Sequence, residues 1–334
     1  MDEMRLLKQL CEAFGPSTLE DDVARLIESE LEDGFEFLHT PHKHLIVVPH
    51  QERYTRTIMF QAHMDELGFR PYRYSPEGFI ELSAMGGVPE DATNSLLRFQ
   101  PTGVRGILLV KREGTKLRYF LDAGAMSAKE ALEMIPYHSN GAYVGNALEE
   151  SPGQLAGKSF DDRAGCAAIV KVLKDWPRDE ENRIVGVFTS REETGDWPVS
   201  ELRGAIGNNG LYPDLIINVE VCPGGPTPLQ QETIGMVGAG LVLVHMDSSY
   251  APDSRICKFM ADVAADKGVA HQHIAMRLGS GELGRLALGF GVHGYPLSIP
   301  GRYMHCPHSV ISKQDYLACI HMCREIALNY RGVD

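Results

Sequence analysis

Leu6, Leu7, Leu10 and Phe14 recur at the spacing of one helix face, and Gly15-Pro16 breaks the pattern. The stretch STLE that follows carries Ser17 and Glu20 at the spacing of a capping box. Leu19, Val23, Leu26, Ile27 and Leu31 then predict the apolar face of a second helix. The runs HLIVVPH and TIMFQAH read as strands, the first ending at Pro49. From Phe69 to Gly157 the texture changes. Short β-like pieces such as GFIELSAMGG, VRGILLVKR and KLRYFLDAG alternate with turns, and SAKEALEMI is the one helical stretch. The Gly86-Gly87 pair there reads as turn chemistry.

After Lys158 the helical and extended periods alternate again. AGCAAIVKVLKDW predicts a helix, RIVGVFTS and DLIINVEV predict strands, and APDSRICKFMADVAADKG predicts another helix. YPLSIPGRYMH reads as a strand, and a last helix from about Ser312 buries Tyr316, Ile320, Cys323, Ala327 and Tyr330. Strands rich in Val and Ile between helices predict an α/β fold whose mixed, partly parallel sheet is largely buried and flanked by helices. The division is a catalytic domain of residues 1–68 and 158–334, with a small β-rich, barrel-like domain inserted at 69–157.

Length and composition agree with this division. A chain of 334 residues, 43% of them hydrophobic, is enough for about two globular domains. The net charge of −13 disfavours nucleic acid and anionic membranes as partners. Seven scattered cysteines, none in a C-x-x-C pair, argue against a disulfide framework and for a reducing, cytoplasmic setting. The first residues are acidic and amphipathic without the apolar core of a signal peptide, and no run is long enough to span a membrane.

The chemistry lies where the predicted strands end. His63 and Asp65 follow TIMFQA, and Asp161 and Asp162 open the helix after GKSF. Glu192 and Glu193 follow VGVFTSR, Glu220 closes DLIINV, and His305 follows YPLSIPGRYM. Sites in such sheets gather at the carboxyl ends of strands. Each residue alone has an ordinary reading: a surface imidazole, a helix cap, an acidic turn. Together, imidazoles and carboxylates form a donor set for Zn²⁺, Co²⁺ or Mn²⁺. A pair of such ions needs a bridging carboxylate and an activated water. Other histidines carry no such company. His39, His42, His44 and His50 read as a solvated surface cluster, and His271 and His273 lack acidic neighbours in sequence.

The segments AHMDELG, FDDRAG, REETG and RYMHCP, in this order, resemble the signatures of the co-catalytic metallo-aminopeptidases that include glutamyl aminopeptidase and the tetrahedral (TET) aminopeptidases. LDAGAMSAKEA and VGNALE resemble that family's β-rich dimerisation domain, so the likeness covers nearly the whole chain. It implies a zinc-exopeptidase-like fold and removal of N-terminal residues from short peptides. It also implies two divalent ions, Zn²⁺ first with Co²⁺ or Mn²⁺ as alternatives, and a homo-oligomer built from dimers up to a dodecamer. By the resemblance His63 binds one ion, with Asp65 orienting its ring. Asp161 bridges the two, with a cis bond to Asp162. Glu193 binds one ion and His305 the other, and Glu220 takes the remaining terminal position. Glu192 is the general base. Glu66 receives no role.

The chain departs from the family pattern in places. Glu220 stands where the family usually has Asp, GSGELG (279–284) where it has Gly-Thr-Asp, and Ser309 where it has an acidic residue. HTPHKH replaces an Asp-x-x-Gly-Asn segment. The alternatives are a related metal-dependent deacylase or carboxypeptidase-like hydrolase, and a non-catalytic paralogue that kept the fold. An intact Glu192 argues against the last, because a binding protein has no use for the base.

Overall fold

The computed structural model describes residues 3–31, 33–145, 149–195, 198–228, 235–276 and 281–333. At its centre four strands run parallel, in the order Asn182–Thr189, Arg56–His63, Leu215–Gly225 and His293–Arg302. Leu45–Pro49 and Phe35–His39 extend one side antiparallel. Ser309–Ser312, Gln154–Gly157 and Glu149–Ser151 extend the other. Leu241–Met246 and His271–Ala275 form a branch on His293–Arg302.

The mixed, helix-flanked sheet is the one the apolar runs predict. Ile58, Met59, Phe60 and Ala62 are all buried, so both faces of that strand are covered. Ile58, Phe60 and Ala62 pack toward the helix Phe160–Lys174 and the last helix, whereas Met59 joins a second core with Leu202, Ile206 and Leu286. Burying side chains of this size stabilises by roughly 1.5–3 kcal/mol each. The second core is built by the helices Val199–Asn208 and Leu283–Phe290, and in the latter Leu283, Leu286, Ala287 and Phe290 bury one face at helical spacing.

Gly68–Tyr74, Ile80–Met85, Lys116–Asp122, Arg105–Glu113, Leu96–Gln100 and Asn140–Tyr143 close into a barrel. Its interior holds Phe69, Leu82, Leu97, Phe99, Leu108 and Leu121, and the predicted helical stretch is the helix Ala128–Met134. The barrel strands end at Tyr143, and 149–157 belongs to the large sheet. Asn146, Ala147 and Leu148 of VGNALE, and Gly279 and Ser280 of GSGELG, lie outside the described residues.

Two local readings change. The helix begins at Asp21, so Ser17 does not cap it. The Ser17 hydroxyl instead donates to Asp65 Oδ2 at 2.5 Å, and Glu20 Oε1 accepts the N–H of Thr18 at 2.6 Å. A long-range acceptor has displaced the local capping pattern. His44 is fully buried, not solvated, because its ring turns inward to accept the N–H of Ser190 at 3.1 Å. All seven cysteines are free thiols. No helix among the described residues is long and apolar enough to cross a membrane.

Candidate metal centre and active site

The parallel register brings the strand ends to one level. His63 pairs with Thr189, and Gln61 with Asn218, so Glu220 stands two residues further along beside His63. Asp161 reaches the same place from the start of the helix Phe160–Lys174, where Asp161 and Asp162 are not yet helical and their peptide bond is cis. His305 arrives from the loop after His293–Arg302.

Asp161 is the meeting point. Its Oδ1 lies 3.0 Å from His63 Nε2, and its Oδ2 lies 3.3 Å from His305 Nε2. Behind His63, Glu220 Oε1 is 3.5 Å from the same Nε2. Behind His305, Glu193 Oε2 is 3.8 Å from its Nε2. The resemblance assigns Glu193 and His305 to different ions, but their side chains adjoin. Asp162 also belongs to the cluster: His63, Asp162 and Glu220 form one group whose ligand atoms converge, and His63, Asp161 and Glu193 form another.

Both imidazoles are held by backbone carbonyls. His63 Nδ1 donates to the carbonyl of Asp65 at 3.1 Å, closer than the Asp65 carboxylate at 3.4 Å. His305 Nδ1 donates to the carbonyl of Gly87 at 2.9 Å. A carbonyl oxygen only accepts, so each Nδ1 carries hydrogen and each Nε2 is the ring atom presented to Asp161. Gly87 comes from the barrel domain. A Cβ there would lie 3.2 Å from the His305 ring, so glycine allows the approach. The sequence signal was the Gly86-Gly87 pair, which reads as a turn and no more.

Other side chains fix the frame. Asp65 accepts the N–H of Glu192 at 3.0 Å and that of Glu193 at 3.1 Å. Asp162 Oδ2 accepts the N–H of His63 at 3.2 Å, and its Oδ1 that of Gly165 at 3.0 Å. A Cβ at Gly165 would fall 2.4 Å from that Oδ1, which accounts for the glycine in FDDRAG. Glu66, without a role in the sequence, is buried. It accepts from Lys158 Nζ at 2.5 Å, Ser159 Oγ at 2.8 Å and the N–H of Gly15 at 3.1 Å. Glu282 is also buried, hydrogen-bonded to Gln61 and Thr189 one step below the site. Ser309 donates to the carbonyl of Tyr303 at 2.9 Å. Ser159, Arg191, Tyr303 and His305 hold positive φ of 57°, 66°, 57° and 64°. Non-glycine residues there cost roughly 1–3 kcal/mol each, a cost that clusters at functional sites.

Burial and mutual repulsion set the electrostatics. Burial pushes the Glu193 carboxyl well above its usual range, with the charge of Asp161 adding to the rise. Burial also raises Glu220, to about 8, and raises Glu192. Burial works to lower His63 and His305, but the charge of Glu220 and the bond to Asp161 bring His63 well above its usual value. The bond to Asp161 brings His305 to about 10. Asp161 is held well below: burial opposes ionisation, and the bonds to His305 and His63 overcome it. Carboxylates this close compete for the charge of two imidazoles. Divalent cations among them would satisfy every donor, so the residues fit such ions in both chemistry and charge.

A cleft of about 220 Å³ opens on this cluster and touches Asp161, Glu192, Glu193, Glu220 and His305.

Comparison with known proteins finds relatives along nearly the whole chain. A putative aminopeptidase of Acetivibrio thermocellus is 28% identical over 323 residues, covering 94% of this chain and 95% of the relative. The TET aminopeptidase of the marine sediment archaeon Thaumarchaeota archaeon SCGC AB-539-E09 superposes with a TM-score of 0.88 at 24% identity, over 98% of this chain and 97% of that one. The Pyrococcus horikoshii TET1 peptidase, described as assembling into a tetrahedron or a large octahedral shell, gives 0.81 at 20% identity, over 98% and 100%. The sequence profile of the M42 glutamyl aminopeptidase family matches residues 44–322, and the chain belongs to that family of peptide hydrolases.

Proposed function

We propose that this aminopeptidase works through a two-metal centre in which Asp161 is shared. His63 and Glu220 complete one side, and Glu193 and His305 complete the other. The observation that carries the proposal is the pair of imidazole nitrogens on opposite oxygens of one carboxylate, at 3.0 and 3.3 Å. Two divalent cations there, Zn²⁺ first with Co²⁺ or Mn²⁺ as alternatives, supply Lewis acidity toward the scissile carbonyl and a water of lowered pKa. The protein's own residues do the rest. Glu192, its carboxyl lining the cleft and raised by burial, takes a proton from the attacking water and returns it to the leaving amine. Asp65 holds the backbone of the base and of Glu193. The carbonyls of Asp65 and Gly87 keep the two rings turned inward. The acidic cleft favours a free α-amine on short peptides.

The inserted region read from the sequence as 69–157, whose barrel strands run from Gly68 to Tyr143, is proposed as the dimerisation domain, with dimers building a closed shell such as a dodecamer. The Pyrococcus horikoshii TET1 peptidase is described as assembling into a tetrahedron or a large octahedral shell, and the similar PhTET1-12s structure as a dodecamer. The free thiols are consistent with the cytoplasm. A second reading rests on Glu220, which replaces the Asp expected from the family: a deacylase or carboxypeptidase-like hydrolase.

The deciding experiment is a panel of aminoacyl chromogenic amides and N-acylated peptides with Zn²⁺, Co²⁺ and Mn²⁺, alongside metal analysis. Cleavage of free-amine substrates with about two ions per chain is expected. Faster cleavage of N-acylated peptides moves the function to the second reading.

A further inference from the structure

Three imidazoles meet on the branch formed by Leu241–Met246 and His271–Ala275, and the metal centre uses none of them. The two strands are parallel, with Leu241 opposite His271 and Leu243 opposite His273. Side chains two apart on a strand share a face, so His271 and His273 stand side by side. His245 follows Leu243 by two residues, at a shift of register between Val244 and Met246. A bulge of this kind re-aims a side chain. Here it brings the His245 ring against His273, with centroids 5.1 Å apart and 23° between the planes. The His271 ring meets His273 edge-on, at 5.0 Å and 85°.

The ring nitrogens are placed as ligands are. His245 Nε2 and His273 Nδ1 lie 2.8 Å apart, so one donates to the other. Two nitrogens bound to one ion at about 2.0–2.1 Å each stand about 3 Å apart, and an ion can take the place of the shared hydrogen with little movement. His271 Nδ1 donates to the carbonyl of Val269 at 2.8 Å, which leaves Nε2 as its lone-pair atom. A bond of this type orients metal-ligating histidines in general. His245 and His271 are half-buried and His273 is exposed, so an ion reaches the rings from solvent. Burial, with repulsion from His271 and His245, holds the His273 imidazole below its usual value, and the ring keeps its lone pair at neutral pH.

We infer that His245, His271 and His273 bind a further divalent transition ion, Cu²⁺, Ni²⁺ or Zn²⁺, through imidazole nitrogens alone. A set of imidazoles suits these ions and excludes Mg²⁺ and Ca²⁺, which take oxygen ligands. The ion would tie the two strands together just before they reach the cleft. Met276, which lines the cleft, donates its N–H to the carbonyl of Met246 at 2.7 Å, directly beyond the three rings. An ion on the histidines would therefore brace this side of the cleft from outside. The inference stands apart from the two-metal reading of the centre, because it shares no ligand with it.

The test is a calorimetric titration of the Zn²⁺-loaded protein with Ni²⁺, with thermal melts in the same solutions. The wild type is compared with His245→Ala, His271→Ala and His273→Ala, so the difference between proteins isolates this ion whatever the centre holds. Each substitution is expected to weaken the Ni²⁺ step by about tenfold or more. Each should also reduce the rise in melting temperature that Ni²⁺ gives the wild type, since an ion that binds only the native state stabilises it. Without Ni²⁺ the variants should melt with the wild type, because the rings lie at the surface. His273→Gln keeps a polar side chain and should weaken the step as His273→Ala does. An unchanged isotherm in the His245→Ala/His273→Ala double variant overturns the inference. So does an isotherm that one substitution alone changes, which marks an adventitious ion only, held by a single ring.

Discussion

The carboxylate of Asp65 accepts the backbone N–H of Glu192 at 3.0 Å. The same group accepts from Glu193 at 3.1 Å and from the Ser17 hydroxyl, and it lies beside the His63 ring. One buried side chain thus sets two proposed ligands, His63 and Glu193, and the proposed base Glu192 relative to one another. Asp65→Asn replaces an acceptor by a donor facing those N–H groups. Metal affinity is expected to fall about 10–100-fold, read by chelator competition, together with the melting temperature. Ser17→Ala should give the same trend more weakly. An Asp65→Asn protein with unchanged affinity removes Asp65 from the frame.

Glu192→Gln keeps the shape of the base and removes its proton affinity. The variant should bind metal like the wild type and lose about 10²–10⁴-fold in kcat. Metal analysis beside steady-state kinetics checks both halves, and full turnover would dismiss the assignment.

Glu220 is the sharpest departure from the family pattern, and it lies 3.5 Å from His63 Nε2. Glu220→Ala should lower the metal content from about two ions per chain to about one, because it strips a donor from the His63 side alone. Glu220→Asp, one methylene shorter, should weaken that ion less. Unchanged stoichiometry in the alanine variant shows that Glu220 is not a ligand.

His44 gives a pH signature away from the centre. Burial lowers its pKa from 6.5 to about 4. Below pH 6.5 the unfolded chain takes up a proton that the native ring refuses. Its contribution to stability is therefore complete above pH 6.5 and is lost as pH falls toward 4. Denaturant midpoints between pH 4 and 7 should fall less steeply with acid in His44→Gln than in the wild type. Parallel curves would show that the ring protonates freely in the native state.

The sequence made the strand-end residues legible because parallel strands with apolar cores leave few places for polar side chains. His63, Glu220 and the Glu192-Glu193 turn follow from that rule directly. What it hid depends on direction across the fold. Ser17 sits at the spacing of a local cap yet turns to Asp65, 48 positions away. Glu66 and Lys158 form a buried ion pair separated by 92 positions, which no linear pattern records. Glu282 stands just before the helix Leu283–Phe290, and its partners Gln61 and Thr189 lie 221 and 93 positions away, so the bonds leave no linear pattern. Gly87 looked like a turn because a glycine's carbonyl leaves no mark in the sequence.

The bond from His305 to the Gly87 carbonyl limits how far this architecture is modular. The stems of the barrel are stapled below it by Glu66 and Lys158, so by connectivity alone the barrel could be exchanged like a cartridge. The catalytic half nevertheless borrows one acceptor from it. A chimera carrying a foreign barrel must offer a carbonyl at the same place, or His305 turns without its guide. Neighbours that tilt the barrel in an assembly would move that carbonyl too, and so reach the reacting atoms without contacting them.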